Sequence, residues 1–276
     1  MKLALSFFIS LTCVVNLAAQ VKMPAPSPLQ HLEQEFALGK IHVTYSRPVT
    51  KGRKVFGDLV PFNMLWRTGA NAATIIRFTD PVEIRGKKID TGSYALYTIP
   101  GYDSWEIILN KGVKNWGVDG YKETEDVFRF KVAPVRISKR VESFTMAFEN
   151  VERESCELHL TWEKTDVMIP FRVNIKERIR TQLSAAMLTD TKPYWEAAQF
   201  YNEYDNNPRK AMENIRKAVE LNPNAYWMWL YKANIEKAEG NKKAAMESSV
   251  KSMELARAAK NDDYVRMNEA LQKRLQ

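Results

Sequence analysis

Cysteine and histidine are scarce in this chain, and their scarcity excludes several kinds of site. The 276 residues include two cysteines and three histidines. Zinc and related metals take their ligands from these residues at short spacings, yet the sequence contains no Cys-x-x-Cys, His-x-His or Glu-x-x-His motif. A Gly-x-Ser-x-Gly turn, which carries the nucleophile of many hydrolases, is also absent. We therefore predict no metal site, no cofactor and no Ser-His-Asp active site.

Long apolar runs are missing too, except for a short one at the N terminus. Lys2 precedes the apolar stretch 3–15, and the small residues of 17–20 follow it. This is the order of a secretory signal peptide, and the stretch is too short to cross about 30 Å of hydrocarbon as a helix. We predict a signal peptide over residues 1–20, a mature chain that begins near Val21, and a periplasmic or secreted location. No later segment approaches the roughly 18 apolar residues of a transmembrane helix.

Removal of that signal would leave Cys156 as the single cysteine of the mature chain. One cysteine forms no internal disulfide, so an oxidising compartment would be tolerated rather than used. A lipoprotein anchored through Cys13 is a less favoured alternative, because Thr12 precedes that cysteine where a small residue is needed and apolar residues continue after it.

Positive charge is concentrated in one segment of the chain. Lysine and arginine total 41 against 33 acidic residues, a net charge of +8, and residues 40–67 hold six of these cations with Asp58 as their one acid. Turn residues in the same segment allow cations from separate strands to converge on an anion. The sequence therefore predicts a ligand site formed by Arg47, Lys51, Arg53, Arg67 and Asn71.

This basic segment has a structural interpretation as well. Lys51, Arg53 and Lys54 are typical of a solvated loop, and Arg67 is a candidate buried partner for Asp58. If the segment binds a ligand, an anionic glycan or a lipid headgroup is the class that its charge favours. Nucleic acid is disfavoured, because the chain is predicted to be exported and no basic helix is present.

The tryptophans Trp66, Trp105 and Trp116 are either sugar-stacking platforms or core residues. Paired carboxylates that cleave glycosides would make the protein an enzyme, with the loops of 47–71 as its site. The acidic residues are scattered over turns without evident pairing. The sequence does not identify a reaction.

Alternation of apolar and polar residues dominates from Ile41 to about Ile175. Segments such as Ile41–Tyr45 and Leu158–Trp162 place apolar side chains on one face of a strand. Turns separate these segments and no helical pattern lies between them, which favours an antiparallel sandwich or barrel. His31 is assigned to a leader before the first strand. Strands are predicted near 41–45, 74–78, 82–85, 93–98, 105–109, 128–132, 144–148, 158–162 and 169–173.

Helical spacing replaces this alternation after Ile175, where Ala, Lys, Glu, Met and Leu prevail. Pro193 and Pro208 stand at first-turn positions, where a missing N–H costs nothing. The predicted fold is α+β with segregated domains: an antiparallel β-sandwich over 21–175 and a helical array over 176–276. Helices are predicted near 176–188, 193–205, 208–221, 225–239, 242–259 and 262–275.

A repeat of 34 residues is visible in the helical part. Trp195 matches Trp229, Ala211 matches Ala245, and Pro223 closes the first unit. This pattern resembles the tetratricopeptide repeat, which implies a concave face that binds a protein or peptide. The first-helix residues of such a groove would be Glu196, Phe200, Glu203, Tyr204, Trp227, Leu230, Asn234 and Lys237.

The β part, over about residues 24–175, resembles the bacterial family of unknown function numbered 2911. The resemblance implies an exported domain, commonly followed by a helical repeat tail, and it implies no activity. The stretches that carry it are Tyr45-Ser46-Arg47-Pro48, Lys51–Pro61, Trp66–Asn71, Gly92–Leu96, Ile99-Pro100-Gly101, Asn110-Lys111 and Trp116-Gly117.

These observations favour a non-enzymatic envelope protein that binds a protein or peptide through its tail. A carbohydrate-active or other hydrolytic enzyme that uses the 47–71 loops is one alternative. A binder of an anionic glycan or lipid headgroup is the other.

Overall fold

The computed structural model describes residues 23–276, so the predicted signal peptide and Cys13 lie outside the described residues. Contacts divide the chain into two compact units, the first ending at Phe171 and the second comprising Arg172–Gln276. The first unit contains the strands and the second contains the helices.

The first unit consists of two antiparallel sheets, as predicted. One sheet has six strands in the order β1-β2-β3-β6-β7-β8, and the other has four in the order β5-β4-β10-β9. Each neighbouring pair in the six-stranded sheet is antiparallel. The strands are β1 (Leu29–Phe36), β2 (Gly39–Ser46), β3 (Ala70–Phe78), β4 (Val82–Ile84), β5 (Lys87–Ile89), β6 (Gly92–Ile99), β7 (Trp105–Asn110), β8 (Asp126–Val132), β9 (Val135–Glu149) and β10 (Ser155–Arg172).

The assignment of His31 to a leader was wrong. His31 lies within β1, opposite Thr44 of β2, and its Nδ1 is 3.0 Å from the Thr44 hydroxyl. β1 is an edge strand whose side chains are mostly exposed or half-buried, so it lacks the apolar alternation that marks a half-buried strand. The three-residue β5 was missed as well, because it is too short to show a period.

A second correction concerns β10, which is one strand of 18 residues where the alternation suggested two. Its pairing with β9 shifts register on both sides of Glu163, and Glu163 has a φ of 55°. Such a bulge changes the face to which successive side chains point, so the period is interrupted while the strand continues.

Aromatic rings fill the space between the two sheets. Trp66, whose backbone pairs with Thr98 of β6, stacks on Trp162 of β10 with ring centroids 6.0 Å apart. Phe56 packs edge-on against Trp105 of β7 at 4.8 Å. Since Trp66, Trp105 and Trp162 are 8% exposed or less, Trp66 and Trp105 are core residues rather than sugar platforms.

The outer face of the six-stranded sheet carries a smaller core. Ala73, Ala95, Tyr97 and Ile108 are buried there, and Tyr121 packs against them from the segment that joins β7 to β8. That segment, 111–122, therefore covers part of the outer face of the sheet.

The second unit is a series of six helices whose consecutive members contact each other. Their bounds agree with the predicted ones to within about two residues. No helix of residues 23–276 has the length and apolar character needed to cross a membrane. The helices are α1 (Lys176–Ala186), α2 (Tyr194–Glu203), α3 (Pro208–Leu221), α4 (Tyr226–Ala238), α5 (Lys242–Ala258) and α6 (Asp262–Leu275).

Small buried residues allow these helices to approach closely. Ala211 and Ala245, which match at the 34-residue spacing, are both fully buried. Asparagines at 207, 241 and 261 cap α3, α5 and α6, each accepting a backbone N–H three residues on. The packing and the caps explain why the breaks in the sequence predicted the helix bounds well.

Candidate functional site

Two of the predicted ligand-binding arginines bind the protein itself. The Arg47 guanidinium donates from Nε to the Phe144 carbonyl at 3.1 Å and from Nη2 to the Thr145 hydroxyl at 2.9 Å. Arg53 donates to the carbonyls of Thr50 and Val49, both at 2.9 Å. Arg47 thereby joins the end of β2 to β9, and Arg53 closes its own loop.

Lys51 is exposed, and its backbone is fixed by Glu142 of β9. The Glu142 carboxylate accepts the Thr50 hydroxyl at 2.5 Å and the Lys51 backbone N–H at 2.8 Å. These two hydrogen bonds, together with the charge of Arg140, lower the pKa of Glu142. The Lys51 ammonium extends into solvent, while its loop is held by a carboxylate.

Arg67 and Asn71 lie together, and Asn71 also contacts Ser46. The Arg67 side chain donates to the Asn71 carbonyl at 3.0 Å, and the Asn71 amide donates to the Ser46 hydroxyl at 3.3 Å. Arg67 does not pair with Asp58, and within residues 23–276 no carboxylate lies within ion-pair distance of its guanidinium. Hydrogen bonds thus join Arg67 to Asn71, whereas Arg47 and Arg53 donate to β9 and to the loop of 49–50.

A cleft in the first unit has a volume of about 470 Å³. It lies where the 53–62 loop, the turn after β6, the β8–β9 turn and the bulge of β10 meet. This volume is within the range of pockets that bind small molecules. Its lining residues are Lys54, Phe56, Phe62, Gly101, Tyr102, Trp105, Pro134, Val135, Arg136, Glu163, Lys164 and Thr165.

Aromatic rings form one side of this cleft. Tyr102 is 82% exposed, and its ring lies 6.3 Å from that of Phe62 in an edge-to-face arrangement. Gly57 has a φ of 86°, and a Cβ there would lie 2.7 Å from the Phe62 ring, so only glycine lets Phe62 take this position. Phe56 and Trp105 form the buried floor.

The charged side chains that line the cleft are mostly positive. Lys54, Arg136 and Lys164 are exposed, and Glu163 is the one acidic residue in its lining. The Glu163 carboxylate already accepts the Val55 backbone N–H at 3.2 Å, and Arg140 lies 3.7 Å from its other oxygen. The cations therefore outnumber the acid, and that acid has protein partners.

Of the residues that line the cleft, Lys54 belongs to the basic segment of the sequence, whereas Phe62, Tyr102, Arg136 and Lys164 were not predicted. Tyr102 follows the Pro100-Gly101 turn, so its exposure was inferable from the turn. Arg136 and Lys164 reach the cleft because Thr165 pairs with Arg136 beside the β10 bulge. No local sequence signal reports that long-range register.

The predicted groove residues of the helical unit differ in exposure. Phe200 is 2% exposed and Leu230 is 5% exposed, each within a cluster of apolar side chains of the helical unit. In this conformation neither side chain is accessible to a peptide. Trp227 is 41% exposed, Glu196 is exposed and Tyr204 is half-buried.

His159 on β10 is surrounded by carboxylates. Its Nδ1 is 2.8 Å from Asp166, and its Nε2 is 3.3 Å from Glu157 and 3.9 Å from Glu149. Burial is the largest single influence and lowers the pKa of His159, but the hydrogen bonds and charges of the carboxylates outweigh it and raise the pKa above 6.5. Within residues 23–276 no group of three or more His, Cys, Asp or Glu side chains is arranged to hold a metal ion.

Comparison with known proteins agrees with the strand-rich unit described above. A family model described as "Protein of unknown function (DUF2911)" matches residues 27–171, which is more than half of the chain. No curated protein and no solved structure matches the chain. The motifs that carried the resemblance, from Tyr45 to Gly117, lie within the matched residues, and the chain belongs to the DUF2911 family.

Proposed function

We propose that the protein is an exported, non-enzymatic binding protein whose cleft takes an acidic sugar. The observation that carries this proposal is the pairing of an exposed ring, Tyr102, with three cations in one pocket of about 470 Å³. Export is supported by the order of charge, apolar residues and small residues over 1–20.

Ring faces and cations recognise different parts of such a ligand. The exposed Tyr102 and the half-buried Phe62 offer apolar faces against which a pyranose ring can pack. Lys54, Arg136 and Lys164 can then bind its carboxylate or sulfate. A neutral sugar would use only the first interaction, so the cleft favours an anionic one.

Hydrolysis is less well supported than binding. Glycoside cleavage commonly uses two carboxyl groups on opposite sides of the bond. The cleft lining contains one acidic residue, Glu163. Both of its carboxylate oxygens face protein donors, the Val55 N–H and Arg140.

Titration of the full mature chain with oligogalacturonate and with neutral cellooligosaccharides tests the proposal. We expect binding of the acidic oligomer, with about tenfold weaker affinity for Lys164→Gln and for Tyr102→Ala, since about 1.4 kcal/mol corresponds to tenfold. Arg77→Gln is the matched control, because Arg77 pairs with Ser93 at the opposite end of β6 from the Gly101 turn.

Equal binding of the neutral and acidic oligomers, or an affinity that Lys164→Gln leaves unchanged, would refute this assignment. Export is tested separately, by N-terminal sequencing of protein recovered from the envelope of a bacterial host. Recovery of chain that starts at Met1 from the cytosol would contradict it.

Protein binding by the helical unit is a second candidate function, favoured by one observation. Trp227 in the first turn of α4 is 41% exposed, and exposed tryptophans are frequent anchors of protein interfaces. Since Phe200 and Leu230 are buried, such a contact would use Trp227 and Glu196 rather than the full predicted groove.

A further inference from the structure

We infer a second binding site on the outer face of the six-stranded sheet, in which Arg67 binds a carboxylate and Trp116 contacts the body of the same ligand. The site is separate from the cleft and does not depend on it. Trp66 points into the core between the sheets, whereas Arg67 lies against Gly117 of the segment that covers the outer face.

The Arg67 guanidinium has donors to offer. Within residues 23–276 its one hydrogen bond is from Nη1 to the Asn71 carbonyl, and it has no ion-pair partner. A guanidinium carries five N–H donors in a planar fork that matches the two oxygens of a carboxylate. Arg47 and Arg53, in contrast, each donate from two nitrogens to acceptors of the protein.

The absence of a side chain at Gly117 leaves room for that guanidinium. A Cβ at Gly117 would lie 2.7 Å from Nη1 and 3.0 Å from Cζ of Arg67, and Gly117 has a φ of 67°. The Gly117 carbonyl accepts the Tyr97 hydroxyl at 3.2 Å, and Asn115 donates to the same hydroxyl oxygen at 3.1 Å. The guanidinium therefore rests on a backbone segment that buried Tyr97 holds in place.

The backbone that follows Arg67 also supports this site. Thr68 and Asn71 have φ angles of 53° and 61°, in the left-handed region, which asparagine adopts readily but which is unfavourable for the β-branched Thr68. Buried hydrogen bonds hold this conformation, from Thr74 Oγ1 to the Thr68 carbonyl at 2.7 Å and from Trp66 Nε1 to the Gly69 carbonyl at 3.0 Å. Strain that the surrounding structure maintains in this way is concentrated at functional sites.

Trp116 supplies the second half of the site. It is 64% exposed although it is the largest side-chain type, and it is bonded to the glycine on which Arg67 rests. A ligand that contacts both the exposed Trp116 and the Arg67 guanidinium would carry a carboxylate attached to a ring, as in a uronic acid or an aromatic acid. These two sources share the chemistry, and the experiment separates them.

The test follows the indole N–H of Trp116 by NMR in the full chain labelled with ¹⁵N-tryptophan, with Trp116→Phe used to assign the signal. We expect glucuronate or benzoate to shift this signal, and glucose to leave it unchanged. A shift with glucuronate alone identifies the sugar acid, and a shift with benzoate alone identifies the aromatic acid.

Two variants and one control decide whether Arg67 is responsible. Arg67→Lys keeps the charge but removes the fork, so we expect at least about tenfold weaker binding. Gly117→Ala keeps Arg67 but displaces it, and should have the same effect. Lys164→Gln, in the cleft, should leave the shift unaltered, which separates this site from the proposed function.

Circular dichroism of each variant establishes that it is folded before it is titrated. The inference is overturned if no carboxylate shifts the Trp116 signal at up to about 100 mM. It is equally overturned if glucose shifts the signal as glucuronate does, or if folded Arg67→Lys and Gly117→Ala both bind as the wild type does.

Discussion

Arg47 offers a direct test of whether the basic segment serves structure or ligand binding. Its guanidinium donates to the Phe144 carbonyl and to the Thr145 hydroxyl of β9, 97 and 98 residues away along the chain. Arg47→Ala removes both hydrogen bonds and leaves the two β9 acceptors to water. If Arg47 is a structural clamp, the variant is destabilised whether or not any ligand is present.

The expected loss follows from those two contacts. Hydrogen bonds to a charged group contribute about 1.5–3 kcal/mol each, and Arg47 is half-buried, so water recovers part of this. We expect the free energy of unfolding to fall by about 2–4 kcal/mol, which corresponds to a Tm lower by about 5–12 °C. Arg47→Lys should lose less, because one ammonium replaces one of the two bonds.

Urea unfolding of the full chain measures this, followed by near-ultraviolet circular dichroism, to which the packed Trp66 and Trp162 contribute. Arg77→Ala is the matched control: Arg77 is exposed on β3, and its removal should change stability by no more than about 0.5 kcal/mol. If Arg47→Ala is as stable as Arg77→Ala, the clamp is refuted. An accompanying loss of affinity for acidic sugars would then make Arg47 a ligand-binding residue.

Two further predictions concern polar groups inside the units. Because the pKa of His159 is raised by Asp166 and other carboxylates, its stabilising contribution is complete below about pH 6.5 and declines as pH rises through the folded-state pKa. The stability lost in His159→Gln should therefore be larger at pH 5.5 than at pH 8.5; an equal loss at both would contradict the ion pairs. In the helical unit, buried Asn268 donates to the Ser252 hydroxyl at 2.8 Å and accepts from the Ser249 hydroxyl at 2.9 Å. Asn268→Ala should therefore lower the free energy of unfolding, measured by urea titration, by about 1–3 kcal/mol. A loss below about 0.5 kcal/mol would show that this hydrogen-bond network is dispensable.

Local periodicity was sufficient to predict most of the fold. Alternation marked β2, β3, β6, β7 and β8, and proline and asparagine marked the helix ends, because both signals are set by neighbours in sequence. β1 escaped detection because it is an edge strand with few buried side chains. β10 was divided because its bulge at Glu163 depends on pairing with β9, and pairing partners cannot be inferred from one strand.

The candidate site was predicted less well, and for a related reason. The cations do concentrate over 40–67, but their acceptors differ: those of Arg47 are on β9, whereas Arg53 and Arg67 donate to carbonyls of their own loops. Lys54 was assigned to a solvated loop, yet it lines the cleft with Arg136 and Lys164, which lie about 80 and 110 residues further on. The density of cations is visible in the sequence, whereas the pairing of strands determines which of these cations come together in space.

The number of hydrogen bonds to protein acceptors distinguishes a structural arginine from one that is available to a ligand. Three arginines illustrate this: Arg47, Arg53 and Arg67. All three lie in one short segment, and no feature of the sequence distinguishes them. Arg47 and Arg53 each donate from two nitrogens to protein oxygens, which leaves them fewer N–H donors for an anion. The Arg67 guanidinium donates one hydrogen bond, to the Asn71 carbonyl. It packs against Gly117, which follows the exposed Trp116 in the chain.

The cations of the basic segment thus lie in more than one place in the strand-rich unit. Lys54 joins the cleft with Arg136 and Lys164, while Arg67 lies on the outer face with Trp116. Anion binding at the two places should respond to different substitutions, and the double variant Lys164→Gln with Arg67→Lys should weaken both by about tenfold without a change in fold. A single site shared by all these cations would instead lose its affinity on either substitution alone.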